Sequence, residues 1–278
     1  MYIHIYEMSS YSRRKYFSSI MFTFGCLPSP PDPRDYIYRG PRTRSLTEDP
    51  LPVTFDMRPD LPSIRDQGTQ GSCVAQASSA MKEWQEKKQI SYRDHLSPQF
   101  IYNMRTNYPQ DGMYCRDAMD ILLKYGVSQE LVFPYGSRET STQIASNVFQ
   151  DATNFKVKSY ASVPVGDMNA VKTALVHEGP CVITFDVYNY GMEFWKQNSG
   201  DQLLGGHAVS VVGWTENAFI IRNSWGTRWG NEGYTFYSFT DFDAGYHGEI
   251  WATVDDLSHV VIPPQPKCAC GGGQCAVL

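Results

Sequence analysis

The hydrophobic pattern changes period partway along the 278-residue chain, and that change constrains the architecture more than any other feature. In the first half, apolar residues recur every three or four positions. Val74, Ala77, Met81 and Trp84 share one face of a predicted helix running from Val74 to Lys88. Further helices are predicted from Pro98 to Tyr102 and from Arg116 to Tyr125, the latter stopped by Gly126. From Phe155 onward the runs become short, β-branched and aromatic. Val182–Tyr188, Ala208–Trp214, Ala218–Arg222 and Tyr234–Phe239 read as strands, with a helix over Asp167–Val176. Helices followed by strands indicate an α+β class, and the chain is long enough for two subdomains with their own cores. A crevice between two such halves is a common place for a site.

Three blocks carry candidate chemistry. Gln67-Gly68 leads through Gly71-Ser72 to Cys73; His207 lies in Gly206-His207-Ala208-Val209; Asn223 begins Asn223-Ser224-Trp225-Gly226, followed by Trp229-Gly230. A thiol, an imidazole and an amide are a nucleophile, a base and a group to orient the base, the parts that covalent acyl transfer needs. The thiol and imidazole are 134 residues apart and the imidazole and amide 16, so they meet only through the fold. A free thiol titrates near ~8.5 and needs activation at neutral pH. Residues 68–72 form a loop entering the predicted helix, which puts Cys73 at the positive end of the helix dipole.

Taken together and in this order, these blocks resemble the papain-like cysteine peptidases, over about Leu51 to Tyr237. The resemblance implies a two-subdomain fold with a helical half, a β-barrel-like half and an active-site cleft between them. It implies that Cys73, as a thiolate paired with protonated His207, attacks a peptide carbonyl to form a thioester. His207 then serves as acid and base, Asn223 orients the imidazole, and Trp225 shields their bond from water. Gln67, with the Cys73 backbone N–H, is implied as oxyanion donor, a contact worth roughly 3–4 kcal/mol. Gly112 stands where the family pairs a glycine turn with substrate backbone in an antiparallel manner. Two positions depart from lysosomal members: Gln70 stands where they carry a disulfide cysteine, and Val74 follows the nucleophile where an aromatic is usual. The usual disulfide frame is therefore not expected, a reducing compartment fits better, and a Cys115–Cys181 bridge stays open. Two rivals share the site: a catalytically silent peptide-binding protein, and an acyl transferase passing the acyl group to an amine.

Residues 1–50 read as an extension or propeptide, 51–255 as the peptidase domain (helical to about 154, β from about 155), and 256–278 as a tail rich in Pro, Gly and Cys. Tyr16–Leu27 has the length of a signal-peptide core, but Ser18, Ser19, Thr23 and Gly25 interrupt it and no small-residue cleavage site follows. The run Pro30-Pro31-Asp32-Pro33-Arg34-Asp35-Tyr36 is similar to the short leader of microbial and viral members, which leaves open a short segment covering the cleft. The chain ends Cys275-Ala276-Val277-Leu278, a C-a-a-X box in which leucine favours geranylgeranyl, with Cys268 and Cys270 as palmitate acceptors. That pattern predicts a cytoplasmic protein with a membrane anchor rather than a secreted one; metal binding or oxidation of the three cysteines is the competing reading. A net charge of -5 argues against a nucleic-acid partner, and peptide or protein is the expected substrate. No cofactor or metal is expected, because Cys268 and Cys270 lack a second pair at zinc spacing. His4, His95, His177, His247 and His259 lie outside any motif, and no heptad pattern speaks to oligomeric state.

Overall fold

Helix α1 (Cys73–Ile90) follows the loop at 68–72 and runs through the middle of the molecule, which a computed structural model describes over residues 23–40, 50–137 and 143–255. Every residue from Cys73 to Glu86 is buried, so the helix is not the one-faced amphipathic element its apolar spacing predicts. Its Ala and Ser positions allow close neighbours all round. On one side lie α2 (Pro98–Asn103) and α3 (Cys115–Lys124); on the other lies β6 (Gly205–Trp214), whose Ser210 Oγ donates to Ala77 O at 3.2 Å. The cost of burying Lys82 is offset by Glu86, 2.5 Å away, and by Asp255.

The helical half closes with α4 (Ser146–Ala152), an element that the sequence pattern did not show. Its core gathers Met81, Phe100, Met119 and Leu122. Gly126 ends α3 as expected: it sits at φ +84°, and its N–H reaches back to Ile121 O at 3.0 Å.

The second half is an antiparallel sheet in the order β4 (Ser159–Ser162), β9 (Ile250–Val254), β5 (Cys181–Val187), β6, β7 (Ala218–Arg222), β8 (Tyr234–Ser238). A bulge between Val211 and Trp214 lets β6 pair along one edge with β5 and then with β2 (Phe55–Asp56), while β7 takes the other edge. The expected α+β class holds, and the barrel-like half is an open sheet. Among the described residues β4 and β8 end the strand order without pairing to each other, so the sheet curves but does not close. Helix α5 (Met168–His177) covers it, with the Asp167 side chain capping Ala170 N at 2.9 Å. A short α6 (Phe239–Asp243) follows β8.

The remaining described segment, residues 23–40, joins both halves, and its Ile37 bridges in parallel to Ser162 at the β4 edge of the sheet. It threads the crevice between them, where β1 (Cys26–Leu27) pairs in parallel with β3 (Met113–Tyr114).

Candidate active site

Cys73 is the first residue of α1, and His207 is the third residue of β6. Asn223 directly follows β7, whose Arg222 pairs with Ser210. Continuing that antiparallel register carries Asn223–Trp225 alongside His207–Val209. The imidazole and amide thus meet across adjacent strands: His207 Nε2 and Asn223 Oδ1 are 2.8 Å apart. That oxygen also accepts from Ser224 N at 2.8 Å, which fixes which end of the amide faces the ring. His207 Nε2 therefore carries the proton, and Nδ1, buried without a hydrogen-bond partner, is left as the basic nitrogen. Trp225 stacks on the imidazole at 4.5 Å between ring centroids and 24° between planes. His207 and Asn223 are both buried.

The thiol of Cys73 lies against the backbone amides of Ala208, Gly25 and Val74, so it touches the strand that carries His207. Gln67 faces the same space. Its Oε1 accepts from Ser224 Oγ at 2.6 Å, which turns Nε2 outward to donate to Thr23 O at 2.9 Å and Gln70 O at 3.1 Å. The Gln67 backbone is pinned by Ser224 O at 2.9 Å and by Tyr135 Oη, also at 2.9 Å. Ser224 is thus an unforeseen member of the site, although it lies inside a motif the sequence displayed. Gly112 sits in the cleft at φ +78°, beside the strand where Met113 N donates to Gly25 O at 2.8 Å.

The occupant of the cleft is the chain itself. A Cβ on Gly25 would lie 2.0 Å from Gly71 O, and one on Gly206 2.3 Å from Cys26 O, so main chain passes main chain at both walls. Phe24 packs among Tyr190 (5.7 Å), Trp225 (5.9 Å) and His207 (6.2 Å), ring centroid to centroid. Two cavities flank the segment. One of about 480 Å³ includes Asp111, Tyr190 and Leu204 in its lining, the other of about 400 Å³ Thr184, Asp186 and Glu249. Farther along, Ser29 N donates to Glu249 Oε1 at 2.5 Å. Arg116 clamps residues 29–35: its Nε donates to Asp35 Oδ1 at 2.8 Å, with further bonds to Asp35 Oδ2 and Pro30 O. Tyr38 N and Ser162 O close the run at 2.8 Å.

This covering changes the electrostatics. Burial, with a smaller contribution from Cys26, pushes the Cys73 thiol up to about 12, against the pull of the three amides. Burial likewise lowers His207 to about 4, and its bond to Asn223 offsets only part of that. Both shifts favour the neutral form of each group. Burial disfavours the expected thiolate–imidazolium pair in this closed form, because it removes the solvation a charged pair requires. The helix dipole at Cys73 is too weak to reverse it.

Cys26, Cys73, Cys115 and Cys181 are all free thiols, so the open question of a Cys115–Cys181 bridge is answered: Cys115 faces Cys26 instead, Sγ to Sγ 3.9 Å. Among the described residues no three His, Cys, Asp or Glu side chains converge as metal ligands, and no helix is long and apolar enough to cross a membrane. Cys268, Cys270 and Cys275 lie outside the described residues.

Comparison with known proteins gives one family. The family described as papain family cysteine protease matches residues 51–244. Mouse cathepsin K is 31% identical over 218 residues, covering 70% of this chain and 65% of its own length. An uncharacterized peptidase C1-like protein of Acanthamoeba polyphaga mimivirus is 30% identical over 253 residues, 78% of this chain and 81% of the viral one. Among solved structures, xylellain, a cysteine protease from Xylella fastidiosa, superposes with a TM-score of 0.71 at 27% identity, over 84% of this chain and 96% of that one.

Proposed function

Because the chain belongs to the papain family of cysteine proteases, we propose that it is a cysteine endopeptidase acting through a thioester on Cys73, held as a zymogen by residues 23–38. The observation that carries this reading is the convergence of the His207–Asn223 pair and the Gln67 amide on the Cys73 end of α1. Once the segment leaves, water and the helix dipole favour transfer of the thiol proton to His207 Nδ1, giving the reactive thiolate. Sulfur attacks the substrate carbonyl carbon, and the oxyanion is held by Gln67 Nε2 and Cys73 N–H. The C–N bond breaks as His207 returns its proton to the amine. Water, activated by His207, then releases the acid and frees the thiol. Incubating a chain that begins at Leu51 with a quenched peptide tests this: free acid products support hydrolysis. Products coupled to an added amine would favour transfer, and peptide bound intact would favour the silent binding protein.

The zymogen reading rests on direction as well as occupancy. Thr23 O already sits on the Gln67 amide, and β1 runs parallel to β3, whereas the family pairs substrate antiparallel at this turn. The occupying strand therefore presents its peptide bonds with reversed polarity, which suits a segment that fills the site without being cut. Arg116→Ala is expected to release it. Loss of a largely buried guanidinium–carboxylate pair costs about 2 kcal/mol, so Cys73 of the full-length chain should react about 30-fold faster with an epoxysuccinyl label. An unchanged rate would mean that residues 29–35 do not hold the cleft shut.

The tail supports a cytoplasmic location with an anchor at Cys275, since C-a-a-X processing is cytosolic and the signal-like run at Tyr16–Leu27 ends inside the cleft. Intact mass from eukaryotic cells should show a prenyl increment that Cys275→Ser removes; an unmodified chain ending in Leu278 would end the idea.

A further inference from the structure

Three thiols meet in the closed cleft, and only one has a role in the reaction. Cys26 lies on the occluding strand, 8% exposed; Cys115 is fully buried at the start of α3; their sulfurs are 3.9 Å apart. The register explains the meeting. Cys26 stands opposite Met113, and Cys115, two residues farther on, opens α3 directly after the paired strand. One thiol belongs to the part that must leave for the site to open, the other to the frame it leaves from. Cys181, the remaining described cysteine, hydrogen-bonds Gly179 O instead.

We propose that Cys26 and Cys115 form a disulfide under oxidising conditions that locks the occluding segment in the cleft, making the opening of the site redox-controlled. The proposal rests on the reading that residues 23–38 close that site. In a reducing medium the segment is held only by noncovalent contacts, such as the Arg116 clamp, and it opens transiently. After oxidation, the bond joins segment to frame, and even a cut elsewhere in the N-terminal extension leaves residues 23–38 in place.

The exchange balances with a small disulfide, such as oxidised glutathione, as the oxidant. During a transient opening the Cys26 thiolate attacks one sulfur of the small disulfide, breaking its S–S bond and releasing one thiol. When the segment returns, Cys115 attacks the mixed disulfide at Cys26, forming the Sγ–Sγ bond and releasing a second small thiol. The two protein protons end on the two released thiols. The closed reduced form resists direct attack. The Cys115 contact and burial push Cys26 up; at Cys115 the hydrogen bond from Cys26 pulls down, but burial together with Glu249 and Cys73 outweighs it, so both shifts favour the protonated thiol.

The test equilibrates the full-length chain in reduced and oxidised glutathione mixtures, alkylates remaining thiols, and maps tryptic peptides. The expected product links residues 16–34 to residues 106–116, each of which contains one of the two cysteines. Its formation should slow epoxysuccinyl labelling of Cys73 by about 100-fold, reversibly with dithiothreitol, because the tethered segment rebinds intramolecularly. Cys26→Ser, Cys115→Ser and Cys115→Ala should each label at one rate in both buffers, and Cys26→Ser serves should the buried Cys115 variants fail to fold. Absence of the linked peptide in every mixture, or a link from Cys26 to Cys73, overturns the assigned pair. A linked peptide with no change in labelling rate overturns instead the reading that residues 23–38 close the site. Equal slowing in the variants would place the oxidation at Cys73 and overturn the lock.

Discussion

Cys73→Ala, made in a chain beginning at Leu51, is expected to lower kcat/KM for a peptide substrate by about 10⁵-fold while leaving the fold intact. The side chain is small and enclosed on a helix whose neighbours Val74, Ala75 and Ala77 are also buried, so the methyl that remains still packs. The thiol lies against the backbone amide of Ala208, next to His207, whereas Cys181 hydrogen-bonds Gly179 O. His207→Ala should cost a similar amount, and the double variant little more, because nucleophile and base act as one unit and their losses do not add. Circular dichroism of each variant separates loss of chemistry from loss of structure. A folded Cys73→Ala protein that kept even about 1% of the activity would show that another group carries the reaction.

The second large effect is expected at Gln67. In the same shortened chain, Gln67→Ala should reduce kcat by about 300-fold with KM nearly unchanged, the mark of a donor that acts on the transition state rather than on bound substrate. The geometry gives this prediction a graded control. Ser224 Oγ holds Gln67 Oε1 at 2.6 Å and so aims the amide N–H, and it touches nothing else in the reaction. Ser224→Ala should therefore cost about tenfold in kcat, through loss of orientation alone. If Gln67→Ala raised KM and spared kcat, the side chain would be a substrate contact, and the role as oxyanion donor would fall.

The contrast between these two residues shows what the sequence makes legible. Cys73, His207, Asn223 and Gln67 are visible because each sits in a short block whose residue types are set by chemistry. The blocks stand in one order, and the helix and strand periods around them place the blocks on opposite halves. Ser224 lies in the same block as Asn223, yet nothing local marks it, since its role is a hydrogen bond to a residue 157 positions earlier. The occluding segment is legible only in outline: the run from Pro30 to Tyr36 leaves open a short cover, and nothing local places it in the cleft. Cys26–Leu27 forms a two-residue strand with no period to detect, and its partner is β3, far along the chain, so as sequence it reads as part of an apolar signal-like run. Its consequence for the site was equally hidden: the burial that raises the Cys73 thiol and lowers His207 depends on the assembled fold and not on the local sequence. The open sheet in place of a barrel has the same origin. Strand spacing shows that strands exist, while closure depends on whether β4 and β8 come within pairing distance, which no local pattern encodes.

Burial in the closed form disfavours the Cys73 thiolate, so the closed and open forms differ most sharply in nucleophilicity. The decisive measurement is therefore intact mass against time, with an epoxysuccinyl label, for the full-length chain and for the chain beginning at Leu51. The expected result is a single adduct on Cys73 that forms rapidly in the shortened chain and slowly in the full-length one. Equal rates would contradict the closure by residues 23–38, and no adduct on a folded shortened chain would contradict the cysteine peptidase itself.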